Sequence, residues 1–350
     1  MKVKLGDVCE RGTSNLRQSD VVGKGGDYPI YGASGYIGDV DFYHQEKSYV
    51  AIVKDGAGIG RTMLCPEKSS VIGTMQYLLP KDAILPQYLY YVVKYMHLEK
   101  YFSGATIPHI YFKDYKNEQF NLDTLKKQAI IVKILGKCEE VIAARNKQLN
   151  ALDELIQARF VELFGDLKIN SKDWKIVEFN KCASIDTHMV HDFAGYEDYP
   201  HIGIDSIEKG TGRLFGYRTI AEDGVISGKY MFTSRHIIYS KIRPNLNKVA
   251  LPEFDGLCSA DAYPILVKEG ICNREYLGYT LKSKYFLEYI LAFSNRTNLP
   301  KVNKSQVEGF RLPLPPIELQ NQFAGFVNQV NKSKLVIKNL LQIYKHQIQM

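Results

Sequence analysis

Two stretches of this 350-residue chain place apolar residues at the same spacing. In the first, Ile131, Leu135, Cys138, Ile142, Arg145, Leu149, Leu152 and Ile156 follow in alternating steps of four and three. In the second, Phe323, Val327, Val330, Lys334, Ile337, Leu341, Tyr344 and Ile348 repeat those steps in the same register, 192 positions later. Steps of four and three keep residues on one stripe of a helix, so both stretches predict coiled-coil seams. One polar residue interrupts each seam, Arg145 in the first and Lys334 in the second. In an antiparallel pair such positions can help fix register. Charged residues such as Lys133, Lys137, Glu139, Glu140, Lys147, Asp153 and Glu154 fill the outer faces. The first helix is predicted from about Asp123 to Leu163, roughly 60 Å long. The second is predicted from near Ile317, after a PLPP run in which proline suits a first helical turn, to Met350.

The segments leading into the seams also align. IPHIYFKDYKNEQFNLDTLKKQAIIVKIL (Ile107–Leu135) and LPKVNKSQVEGFRLPLPPIELQNQFAGFV (Leu299–Val327) match without a gap, so that Pro108 meets Pro300, Leu122 meets Leu314 and Gln128 meets Gln320. Nearer the N-terminus, VKLGDVCERG resembles WKIVEFNKCASI, which starts at Trp174 after the polar stretch Asn170–Asp173. The chain therefore reads as a duplication in which a globular unit followed by a long helix occurs twice. The expected bounds are 1–122 and 168–316 for the globular units, with 123–167 and 317–350 for the helices. Strand-like runs such as SYVAIV and HIIYSKI are broken by Gly and Asp turns. Short helices are predicted at 86–102 and 274–293. The fold class is α+β. The interiors of the two units do not align, so the expectation is a repeated frame with divergent contents.

Hydrophobic residues make up 45% and charged residues 24%, which argues for packed domains and against disorder. The six cysteines form no CxxC pair and have no zinc-ligand spacing, as expected of reduced thiols in a cytoplasmic protein. MKVKLGDVCERG lacks the apolar core of a signal peptide, and no stretch approaches 18 apolar residues, so no membrane association is expected. The net charge of +7 is compatible with a polyanionic partner. The 24 tyrosines against one tryptophan suit either a recognition surface or ordinary strand-rich structure.

Three segments carry candidate chemistry. The first unit contains YPIYGASGYIG, with Tyr31 and Ser34, and AIVKDGAGIGRTML, with Lys54 and Arg61. The second of these is spaced GxGxG, fails the dinucleotide GxGxxG pattern and lacks the GK[ST] of a P-loop. A glycine turn flanked by cations can instead bring backbone close to a phosphate or base edge, or simply form a tight hairpin with solvated charges. The second unit contains SRHIIYSKIRPNLNKVAL, in which Arg235, Lys241, Arg243, Asn245, Asn247 and Lys248 crowd a strand and its loop. Arg and Asn are the types that contact guanine and adenine edges in pairs, and Lys neutralises phosphate. The turns before the long helices offer His109, Tyr111, Lys113, Asn303 and Lys304, either for the DNA backbone or for capping the junction. No NPPY- or DPPY-like motif, glycine-rich S-adenosylmethionine motif, HExxH or GxSxG is present. His188 and His191 have no third ligand nearby, so no metal is expected. A coiled-coil rod carrying two protein-binding heads would explain the seams, but not the Arg/Asn run.

YPIYGASGYIGDVD, YSKIRPNLNKVA followed by CSADAYPI, and FRLPLPPIELQNQFAGFV together resemble the specificity subunits of type I restriction–modification systems, over essentially the whole chain. The first copy departs from the LPLPP-x-E-x-Q pattern, since FNLDTLKKQAIIVKIL has no prolines. The resemblance implies two target-recognition domains, each reading one half of a bipartite DNA site. They would be separated by two antiparallel helices in a pseudo-twofold tandem repeat that sets the unread spacer. It implies two methyltransferase subunits docked on the helices, with Ile131, Leu135, Ile142, Leu149, Leu152, Phe323, Val327, Val330, Ile337 and Leu341 forming the seam. It also implies a restriction and translocase subunit. S-adenosylmethionine, ATP and Mg would lie on those partners, leaving this chain non-catalytic and without a cofactor.

Overall fold

The computed structural model describes residues 1–21, 23–104, 107–293 and 300–349, with side chains described as far as Tyr344. The turn residues Ala105, Thr106 and Asn295–Leu299 and the seam side chain of Ile348 lie outside the described residues. The first long helix runs Leu125–Phe164 and the second Ile317–Gln349, within two residues of the expected starts. Contacts divide the chain into two compact units, residues 1–143 with 344–350, and residues 144–343. The division falls inside both long helices.

In the second unit the two helices meet through buried side chains. Ile156, Phe160 and Phe164 of the first helix are buried with Phe323, Val327, Val330, Ile337 and Leu341 of the second, while Leu149 and Leu152 are half-buried. Phe160 meets Phe323 edge to face at 5.3 Å, Arg159 lies over Phe326, and Asp153 pairs with Lys334. Partners descend one helix as they ascend the other, so the two run antiparallel here. Lys334 reaches across to the opposite helix, whereas Arg145 bonds Gln148 of its own helix at 2.8 Å. Of the two seam interruptions, only Lys334 makes a register-fixing contact among the described residues. In the first unit Ile131 and Val132 pack on the domain core, and Leu135 and Ile142 are half-buried.

The first unit opens with a ladder in which Lys2–Lys4 pairs antiparallel with Gln119–Asn121. A turn of helix, Leu5–Val8, leads into a four-stranded antiparallel sheet in the order Cys9–Thr13, Met75–Pro80, Tyr49–Val53 and Thr62–Cys65. Tyr49–Val53 is buried at every residue, as a continuous apolar run in a central strand should be. A smaller sheet places Tyr28–Gly32 between Gly35–Val40 and Ser70–Val71, the last pairing being parallel. Helix Pro86–Tyr95 packs on the larger sheet.

The second unit repeats this plan and adds to it. Its ladder joins Lys175–Glu178 to Arg311–Leu314, and a turn of helix, Phe179–Cys182, follows. The four-stranded sheet has the order Ala183–Ile185, Ala262–Val267, His236–Ser240 and Val249–Ala250. Pro200–Ile202 pairs parallel with Gly256–Cys258, as Tyr28–Gly32 does with Ser70–Val71. Met189–Val190 and Lys229–Phe232 add two strands to that smaller sheet. The frame is thus repeated in the order of the shared strands, while the contents diverge in sequence and in the two strands added to the smaller sheet.

One buried side chain ties each unit to its long helix in the same way. Gln128 Oε1 accepts from the Leu85 amide at 2.8 Å, and its Nε2 donates to Ala83 O and Asp123 O. Gln320 Oε1 accepts from the Asn273 amide at 2.8 Å, and its Nε2 donates to Ile271 O and Pro315 O. Both glutamines are fully buried, and every partner is backbone, so the lock tolerates changes in surrounding side chains.

Candidate nucleic-acid interface

The glycine turn of the first unit, Asp55–Arg61, follows the buried central strand. Gly56 and Gly60 have φ of +92° and +80°, a region that a residue with a Cβ adopts only at a cost. The turn is pinned by Gly60 N donating to Val53 O, Gly56 N to Pro108 O, and Ile110 N to Lys54 O. Those bonds draw the segment before the long helix against the turn. As a result Lys54, His109, Tyr111 and Lys113 come together. Asp55 accepts from His109 Nδ1 at 2.7 Å and pairs with Lys54 at 3.2 Å. The His109 ring stacks near Tyr111, and the Lys113 ammonium lies 5.5 Å from the centre of the Tyr111 ring. Arg61 donates to Ala33 O at 2.8 Å, fastening the turn that carries Tyr31 and the exposed Ser34.

Ile242–Lys248 in the second unit is the same loop. Arg243 N donates to Pro300 O as Gly56 N does to Pro108 O, and Val302 N donates to Lys241 O as Ile110 N does to Lys54 O. Isolated bridges Asp55–His109 and Ile242–Lys301 also correspond. Arg243 and Asn247, both at φ +47°, occupy the places of Gly56 and Gly60. Pro244–Leu246 forms a single 3-10 turn that lifts Arg243 and Asn245 into solvent. Neither side chain has a polar partner among the described residues. Behind them Lys241 lies 5.0 Å from the centre of the Tyr263 ring, and Lys301 pairs with Asp261 at 3.0 Å. Burial, followed by the neighbouring Lys301, pulls the Lys241 ammonium below the usual lysine range.

Other nominated residues stand apart. Arg235 precedes the strand His236–Ser240 while Lys241 follows it, roughly 20 Å away at strand rise, and Arg235 pairs with Glu269. Lys248 is buried, donating to Ile204 O at 2.7 Å. Asn247 donates to Lys282 O, and Asn303 caps the short helix Lys304–Glu308 in a reciprocal box with Gln306. Lys304 lies 3.7 Å from Glu308. Asp55, Asp261, Tyr263 and Lys301 were not singled out by sequence. Their signal is the repeat itself, since Lys301 stands where the first unit has His109. Among the described residues, no group of three His, Cys, Asp or Glu side chains converges as metal ligands would, and no helix is long and apolar enough to cross a membrane.

Comparison with known proteins adds the following. The family model described as type I restriction modification DNA specificity domain matches twice, over residues 1–154 and 172–343. The chain is 24% identical to the type I restriction enzyme EcoDI specificity subunit of Escherichia coli, an alignment covering 94% of this chain and 80% of that protein. It is 23% identical to the MjaVIII specificity subunit of Methanocaldococcus jannaschii, covering 83% and 77%. The crystal structure of a type I restriction-modification S subunit from M. genitalium shares the fold, with a TM-score of 0.63 at 13% identity over 99% of this chain and 93% of that one.

Proposed function

The chain belongs to the type I restriction modification DNA specificity family, and on that premise we propose that its two units each read one half of a bipartite DNA site. The observation that carries this reading is the shared loop. Two loops held by the same backbone hydrogen bonds present different side chains, His109 with its Asp55 partner in one unit and Arg243 with Asn245 in the other. A fixed frame with variable tips is what two readers of different sequences require. Arg243 and Asn245 suit guanine and adenine edges, while Lys54, Lys113, Lys241 and Lys301 suit phosphates.

The long helices set the unread spacer and dock two methyltransferase subunits. S-adenosylmethionine, ATP and Mg belong to the methyltransferase and restriction partners, and this chain supplies specificity without catalysis. Single-molecule methylation mapping, in cells carrying the chain with its partners and in cells lacking it, tests the reading. The expected result is one asymmetric bipartite motif that disappears with the chain. Methylation without sequence preference would overturn it.

A further inference from the structure

The two units treat one equivalent lysine in opposite ways. Lys94, near the end of helix Pro86–Tyr95, donates to Glu139 of the long helix at 2.7 Å and to Tyr90 at 3.0 Å. Desolvation lowers its pKa, but the bonds to Glu139 and Tyr90 outweigh this and hold the ammonium above the ordinary value. Lys282 ends the corresponding helix Arg274–Lys282 in the second unit. The position matching Glu139 is Asn331, which carries no charge, and the one matching Tyr90 is Gly278. Among the described residues Lys282 Nζ donates only to Thr211 O, at 2.8 Å, and lies over the Tyr279 ring. Burial, then the neighbouring Lys334, pulls its pKa down to about 8.

Further cations converge on the same place. Lys334 and Lys338 lie one turn apart on the second long helix, and Lys338 is likewise lowered by burial, then by Lys334 and Arg213. Arg213 is paired with Glu208 at 2.9 Å and Lys334 with Asp153. Lys282 and Lys338 make no ion pair among the described residues, although Asp153 offsets part of the charge on both and Glu253 part of that on the exposed Lys338. Gathering like charges in partly desolvated surroundings is unfavourable unless an anion completes the site. The cluster is also continuous with the reading loop, because Asn247 Nδ2 donates to Lys282 O and Gly210 N donates to Leu246 O.

We propose that Lys282, Lys338 and Lys334 form a phosphate clamp for the DNA backbone beside the second unit's reading loop, a site the first unit has cancelled with Glu139. The proposal rests on the DNA-reading function argued above. It assigns these lysines to affinity and register, and not to base choice.

The test uses the full chain with its methyltransferase partners, bound to target and non-target duplexes over a salt series. In Lys282→Gln/Lys338→Gln, the slope of log affinity against log salt should become shallower by about 0.9 for each phosphate that is no longer neutralised. Target and non-target affinities should fall together, and the methylated motif should not change. Asn331→Glu, which restores the first unit's carboxylate and keeps every lysine, should produce the same effect. An unchanged slope in both variants, with wild-type binding intact, would overturn the clamp alone. So would variants that lose methyltransferase assembly yet keep the DNA slope, since the cluster would then serve an acidic protein surface. A wild-type complex with no salt-dependent DNA binding would overturn the reading function itself.

Discussion

Arg243 holds a left-handed backbone conformation, at φ +47°, where the first unit has Gly56. A residue with a Cβ costs about 1–2 kcal/mol there, so keeping arginine points to its side chain. Arg243→Gly is therefore expected to leave the melting temperature unchanged or slightly raised. DNA discrimination at one half-site should fall by about 1–3 kcal/mol, the worth of a paired base contact. Methylation mapping and thermal unfolding on the same sample check both parts. Gln320 behaves oppositely. Gln320→Ala strands a buried amide and two carbonyls, so the second unit should lose about 3 kcal/mol in denaturant unfolding. Lys282 supplies a pH signature. It faces Lys334 and Asp153 from the long helices, Arg274 and the Tyr279 ring from its own helix, and the Thr211 carbonyl. Its folded pKa of about 8 lies below the ordinary 10.5, so over that window the unfolded chain binds more protons. Stability from this group thus rises as pH increases from 8 towards 10.5. Comparing unfolding at pH 7.5 and 10 should show that gain in the wild type and its absence in Lys282→Gln.

At the scale of elements, the long helices were the most legible part of the sequence. Their seams repeat without a gap, and the buried face of the second helix matches the predicted positions at Phe323, Val327, Val330, Ile337 and Leu341. What spacing alone could not show is that the buried face of the first helix shifts after Ile156 to Phe160 and Phe164, one position past the heptad steps, and serves different partners along its length. Ile131 packs on a domain core, whereas Phe160 anchors an aromatic cluster with Phe164, Tyr276, Tyr279 and Phe323. Phe160→Ala should cost about 3–5 kcal/mol, as buried aromatic truncations do. Differential scanning calorimetry should show that destabilisation in the transition of the second unit, and a shift confined to the first unit would contradict the assignment. The equivalence of the two reading loops was hidden for a different reason. The shift between copies is about 174 positions at the opening ladders, 187 in the central sheets and 192 at the long helices. Added strands in the second unit absorb the difference, so no single ungapped comparison lines up Gly56 with Arg243. Backbone hydrogen bonds reveal the match because they depend on path and not on side chains.

At the scale of the whole molecule, the duplication separates what must stay constant from what can vary. The ladders Lys2–Lys4/Gln119–Asn121 and Lys175–Glu178/Arg311–Leu314 close each unit at matching points, and the buried glutamines hold only backbone atoms. A unit interior should therefore be exchangeable between ladders. Replacing residues 5–118 with residues 179–310 keeps the Gln128 lock, because the Asn273 amide and Ile271 carbonyl stand in for those of Leu85 and Ala83. It also brings a second Lys282 opposite Glu139, the carboxylate that compensates Lys94 in the native chain. The chimera is expected to fold and to direct methylation to sites built from two copies of one native half-site. Single-molecule methylation mapping of cells expressing it with the partner subunits reads the result directly. Retention of the native asymmetric motif would mean that sequence choice lies outside the unit interiors, and the assignment of one reader to each unit would have to be abandoned.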